Sequence, residues 1–182
     1  MEAMARFKLG AISHRSPKHN EITHVPLFIK IPGYDHQRVS GLVSIPDIMP
    51  TMLELAEINP PDRVQSKSVL PLARGEVDRL HDIVVTSQSL ADTAGNTTKI
   101  VDDNERVVIE VSPSTIRDGQ WDFLYSLEGE RVELYDAVND PEHRRNLADE
   151  RRDICEMMHA KFVAWMEEMG TPDAYAAPRR KL

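Results

Sequence analysis

Val25, Leu27, Phe28, Ile29 and Ile31 occupy both parities of a two-residue repeat. That is the pattern of a strand covered on both faces, as in the parallel sheet of an α/β fold. Pro26 cannot donate to a sheet ladder and belongs at the start of such a strand, Lys30 interrupts the run near its end, and Pro32-Gly33 closes it with turn chemistry. His24, just ahead of the run, reads as a structural residue with a satisfied hydrogen bond. After a polar connection from Gln37 to Gly41, the segment Ser44 to Glu57 predicts a helix with Asp47 as N-cap and Pro50 in its first turn, where a missing N–H breaks no intrahelical bond. Met49, Met52, Leu53 and Ala56 form its apolar stripe, and Asn59-Pro60-Pro61 stops it.

From His81 the pattern changes. His81 to Ser87 predicts one strand, and Ala91 to Thr98 reads as a polar loop around Ala94-Gly95-Asn96. Short strands follow at Lys99 to Val101, Arg106 to Val111, Ser114 to Arg117, Trp121 to Ser126 and Val132 to Tyr135, with turns at Asp118-Gly119 and Glu128-Gly129-Glu130. Tight turns between alternating segments predict an antiparallel meander, with Trp121, Phe123 and Tyr125 facing inward. Asp149 to Met169 predicts a long helix with Ile154, Met158, Phe162, Trp165, Met166 and Met169 on one face, Gly170 as its C-terminal cap and Pro172 beyond. This stripe reads as core rather than as a ligand site. Ala176 to Leu182 reads as a frayed tail.

Composition narrows the function classes. A chain of 182 residues with 41% hydrophobic and 29% charged residues can bury a core of its own. Thirty acidic against twenty-two basic residues give a net charge of −8. With no basic stripe interleaved with aromatics, neither a nucleic-acid nor a membrane partner is expected. No transmembrane, signal or lipidation pattern is present, and the compartment stays unassigned. Cys155, the single cysteine, cannot form an internal disulfide. The histidines lack the spacing of a zinc site, and Asp102-Asp103 would point apart on a strand.

Four segments carry a family resemblance: His24 to Gly33, Val43 to Ala56, Ser68 to Leu72, and Glu133 to Ala148 with its Asn139-Asp140-Pro141 turn. Together and in this order they resemble the C-terminal part of type I sulfatases, within the alkaline phosphatase superfamily. The resemblance implies an α/β protein. Residues 1–92 would form the C-terminal end of the sulfatase α/β domain, 93–172 a small antiparallel β subdomain with a packed long helix, and 173–182 a tail. It implies sulfuric ester hydrolysis by a full-length relative on a sulfated small molecule or glycan, using a formylglycine and a divalent cation, usually calcium. The formylglycine motif, Cys/Ser-x-Pro/Ala-x-Arg, does not occur in these 182 residues, and no residue here is assigned as a metal ligand. Met1 to Arg6 looks like the continuation of the family's Asp-His-Gly metal motif. The expectation is therefore a C-terminal fragment or one half of a split enzyme, inactive alone, with an N-terminal sulfatase half or a second copy as partner. An assembly module derived from a sulfatase, or a phosphoester hydrolase of the same superfamily, are the alternatives.

The polar cluster ahead of the first apolar run supplies the candidate site. The family's sulfate-binding lysine falls on Arg15, next to His14. A fixed cation there would stabilise the charge that grows on the bridging oxygen as sulfate leaves. Arginine can grip an anion in bidentate fashion but cannot donate a proton at neutral pH, so the acid role would pass to His14 or another histidine. The catalytic candidates are therefore His14 and Arg15, and the substrate-binding candidates Arg15, Lys18 and His19. A solvated basic loop would carry the same residues.

Overall fold

Strands β4 (Ser114–Arg117), β5 (Trp121–Tyr125) and β6 (Glu133–Asp136) form the predicted meander, antiparallel with Ile116 opposite Phe123 and Phe123 opposite Leu134. A computed structural model describes residues 19–87, 98–100, 106–108, 114–126 and 132–182. His14, Arg15 and Lys18, most of the Ala91 to Thr98 loop, Asp102-Asp103 and the turn at Glu128-Gly129-Glu130 lie outside the described residues. Strand β1 (Val84–Thr86) joins the edge of the sheet beside β4, giving the order β1-β4-β5-β6. Strands β2 (Thr98–Ile100) and β3 (Arg106–Val108) pair with each other as a separate antiparallel ribbon. The β4–β5 connection is tight because Gly119 takes φ +96° and the Asp118 carboxylate accepts the backbone N–H groups of Gln120 (3.1 Å) and Trp121 (3.0 Å).

The chain forms two compact units, residues 1–25 with 85–182, and residues 26–84. In the first, helix α4 (Arg152–Glu168) follows the sheet, burying Cys155, Met158, His159, Phe162 and Met166. Tyr125 lies 5.8 Å from Phe162 and 5.1 Å from His159 between ring centroids, so one sheet face meets this helix. The stripe is shifted from the expected one, with Ile154, Trp165 and Met169 only partly covered. Both faces of β5 are buried, since Asp122 and Leu124 are as inaccessible as Phe123, whereas Trp121 is half-buried beneath the Arg151 guanidinium. Gly170 (φ +66°) ends the helix with a Thr171 N–H to Met166 carbonyl bond of 2.9 Å, the Schellman arrangement, before Pro172. The C-terminal residues are folded rather than frayed. Helix α5 (Asp173–Ala176) and a 3₁₀ turn (Ala177–Arg180) follow, with Arg179 buried, the Tyr125 hydroxyl donating to the Lys181 carbonyl (2.8 Å) and His159 bonded to the Arg179 carbonyl (2.9 Å).

The unit 26–84 departs more from expectation. Val25 to Ile31 carries no strand, and Val25, Leu27, Phe28 and Ile29 are exposed, Phe28 at 92%. A run that needs cover on both faces requires neighbouring strands, and none within the described residues pairs with it. His24 is likewise exposed. The Pro32-Gly33 turn does form, with Gly33 at φ +82° and a Tyr34 N–H to Ile31 carbonyl bond of 3.2 Å. Helix α2 (Ile48–Leu55) is preceded by a 3₁₀ turn (Ile45–Asp47), so Asp47 is already helical and the cap moves back to Ser44. Its buried residues are Pro50 and Thr51, while Met49 and Met52 face outward. It ends at Glu57, whose φ of +59° lets the Ile58 N–H reach the Leu53 carbonyl at 2.9 Å. A short helix α3 (Leu70–Ala73) buries Leu70 and Leu72.

Candidate functional site

Each unit is organised around one buried carboxylate, and the two are held differently. Asp47, 1% exposed, accepts mainly from backbone: Ser44 N–H at 2.7 Å and Lys67 N–H at 3.0 Å, with His81 Nε2 at 2.8 Å. Thr51 extends the network by donating its hydroxyl to the Asp47 carbonyl (2.6 Å) and accepting the Val69 N–H (2.9 Å). The Asp47 segment therefore ties the start of α2 to residues 67–69 and to His81. Near the end of α2, Pro50, Glu54, Ile58, Ser66 and Ser68 help line a shallow recess of about 320 Å³.

Asp122, fully buried on β5, is held by side chains instead. Arg117 lies directly opposite on β4 and grips both carboxylate oxygens, Nε to Oδ1 at 2.6 Å and Nη2 to Oδ2. His143 Nε2 lies 2.7 Å from Oδ2. Burial alone would raise the Asp122 carboxyl, but the hydrogen bonds from His143 and then Arg117, with the guanidinium charge, hold it below the usual carboxylate range. His143, 2% exposed, sits in a left-handed backbone conformation (φ +52°) after the Asn139-Asp140-Pro141 turn. That turn is built by Asp136, which accepts the Val138 and Asn139 N–H groups, and by Asp140, which accepts those of Arg144 and Arg145. Asn146 then accepts the N–H groups of Leu134 and Ala148 and so fastens the segment to β6.

The other nitrogen of His143, Nδ1, lies 3.1 Å from Nδ1 of His19, and His19 Nε2 lies 3.8 Å from the Glu133 carboxylate. Tyr135 stacks on His143 at 4.3 Å with planes 5° apart and donates its hydroxyl to Glu133 at 2.5 Å. Asn20, the first residue of helix α1 (Asn20–Thr23), accepts from Arg117 and donates to the Pro141 carbonyl at 2.6 Å. Among the four sequence-selected site residues, His19 alone is described. It is buried among these groups, with Nδ1 against His143 and Nε2 facing the Glu133 carboxylate.

Arg117, Asp122, Glu133, Tyr135 and His143 were not selected from sequence. The one available signal was the register around Asp118-Gly119, which sets Arg117 opposite Asp122. Cys155 is buried, and burial pushes its thiol up. No group of three or more His, Cys, Asp or Glu side chains among the described residues could hold a metal ion. The two buried carboxylates do not fit a calcium site, because their oxygens are taken by backbone, imidazole and guanidinium donors. No described helix is long and apolar enough to cross a membrane.

Comparison with known proteins assigns relatives. No family model matches the chain. It is 27% identical over 175 residues to an uncharacterised sulfatase of Escherichia coli strain K12, covering 94% of this chain and 31% of that protein. It is 31% identical over 149 residues to a Δ4,5-hexuronate-2-O-sulfatase of Bacteroides thetaiotaomicron, covering 76% and 28%. The solved structure of a 2-O glycosaminoglycan sulfatase matches with a TM-score of 0.52 at 24% identity, over 69% of this chain and 25% of that one, and supports the fold. The chain thus spans less than a third of the length of these relatives.

Proposed function

Since this chain is a relative of the sulfatases, we propose that it supplies one portion of a sulfatase-like hydrolase, whose formylglycine nucleophile and divalent cation reside on polypeptide outside these 182 residues. The observation that carries this reading is a sulfatase alignment over 94% of the chain, in a sequence without the formylglycine motif. Arg15 holds the sulfate group of a sulfated small molecule or glycan in bidentate fashion, and Lys18 adds a second cation. His14 protonates the leaving oxygen, the role arginine cannot take at neutral pH. His19, immediately after Lys18, is the third substrate-binding residue, and its contact with His143 fixes its place beside the sheet.

The test mixes the chain with an upstream sulfatase segment carrying matured formylglycine and the acidic metal ligands, and follows aryl sulfate hydrolysis. Activity is expected in the mixture and in neither part alone, with Arg15→Ala lowering it by about 10²-fold or more. A stable complex of the two parts that leaves aryl sulfate intact refutes the reading, and preference for aryl phosphate moves it to phosphoester hydrolysis.

The exposed apolar side chains of the 26–84 unit favour a second reading, an assembly module that pairs with another chain. Light scattering after size-exclusion chromatography decides it, because a monomer at all concentrations argues against self-pairing.

A further inference from the structure

We propose that the His19–His143 contact is a one-proton clasp, tying the His19–Thr23 segment to the β4–β6 sheet while no more than one of the two rings is cationic and releasing it when both are. The inference rests on the geometry of unit 1–25 with 85–182 and stands apart from the hydrolase reading.

The argument is a count of protons. The Asp122 carboxylate, already gripped by Arg117, faces His143 Nε2 at 2.7 Å, so that nitrogen carries a hydrogen. In neutral His143 the remaining nitrogen, Nδ1, is an acceptor, and His19 must donate its Nδ1–H across the 3.1 Å gap. A first proton is accommodated on His19 Nε2, which faces Glu133 at 3.8 Å, where Tyr135 also donates. A second proton would place N–H against N–H at 3.1 Å, which no tautomer relieves. Among the described residues, groups that face the pair include Arg117 from β4, Asp122 from β5, Glu133 and Tyr135 from β6, Asp140 from the turn before His143, and Asn20 from α1. Three of these are carboxylates and one is a guanidinium. The cluster therefore welcomes one imidazolium, and its charge does not remove the clash created by two. The left-handed backbone at His143 (φ +52°) shows that the ring is held in place against a local conformational cost.

The test is amide exchange at Ile22, Thr23 and His24, whose N–H groups bond the His19 and Asn20 carbonyls at 2.9–3.1 Å, with β5 amides as internal reference. After correction for intrinsic exchange, protection of these three amides should fall by up to about tenfold per pH unit between about pH 7.5 and about pH 5, more steeply than protection of β5. In His143→Gln the side-chain amide can donate to Asp122 and accept from His19 without titrating, so protection should persist in acid. Protection that stays flat between about pH 7.5 and about pH 5, falls equally in His143→Gln, or falls equally in β5 overturns the clasp. Should the variant not fold, scalar coupling between the two Nδ1 atoms in histidine-labelled wild-type chain decides. The coupling is expected near pH 7.5 and lost in acid, and its absence near pH 7.5 overturns the proposal.

Discussion

The sheet-and-helix unit takes most of its large apolar side chains out of water, whereas the 26–84 unit buries Val69, Leu70, Leu72 and Ile83 and leaves many others exposed. In the first, Ile116, Phe123, Leu124, Leu134, Met158, Phe162 and Met166 are all removed from water by elements of the same chain. In the second, Phe28 is 92% and Met52 57% exposed, and the buried side chains of α2 are Pro50 and Thr51. The contrast extends to the polar centres. Asp122 is neutralised by a guanidinium and an imidazole, whereas Asp47 spends most of its capacity on backbone N–H groups. The first unit carries its own core. The second is shaped by turns and caps, with much of its apolar surface left for something else to cover.

Substitutions can break that contrast. The largest loss is expected for Asp122→Ala, which strands a buried imidazole and most of a guanidinium without their anion, about 3–5 kcal/mol in urea denaturation. Asp47→Ala, which mainly frees backbone donors, should cost about 1–3 kcal/mol. Equal costs would mean the two centres do not differ as described. Phe162→Ala should remove about 3–5 kcal/mol by opening a cavity against Tyr125 and Trp165. Phe28→Ala should change stability by less than about 0.5 kcal/mol in the isolated chain.

The pH dependence follows from two groups of the first unit. Burial lowers the His159 imidazole, partly opposed by its bond to the Arg179 carbonyl. Its contribution is complete above the unfolded imidazole value, about 6.5, and is lost as pH falls toward the lowered folded value. Asp122, held low in the folded state, keeps its contribution above about 3.9 and loses it as pH falls through the folded value. Urea titrations at stepped pH should therefore show a loss in two stages, with His159→Gln flattening the upper one. The smallest effect sharpens the other unit: Glu57→Gly, at φ +59°, should gain about 0.5–1 kcal/mol by relieving a left-handed non-glycine residue.

What could be read from sequence follows the same division. The β4–β6 meander and α4 were legible because their signals are local: Asp118-Gly119 fixes one turn, Gly170 and Pro172 end the helix, and the apolar periods match partners within the same chain. The Val25 to Ile31 run was legible as a demand for cover on both faces, but no sequence period says whether the neighbours are present. Asp122 was missed because alternation on β5 assigns it to a polar outer face, and His143 because a histidine in a turn carries no signal of burial. His19 was selected for its charge chemistry. The structure gives it a partner 124 positions away, which no local pattern reveals.

The most direct measurement of the proposal is amide exchange along the whole chain, alone and mixed with an upstream segment of a sulfatase relative. Alone, β5, β6 and α4 should exchange through global unfolding, while Leu27 to Ile31 should exchange nearly as fast as an unfolded peptide. The mixture should protect that run and leave the sheet unchanged. Strong protection of Leu27 to Ile31 in the chain alone, or none in a stable complex, would contradict the proposal that this apolar surface is covered by a partner segment.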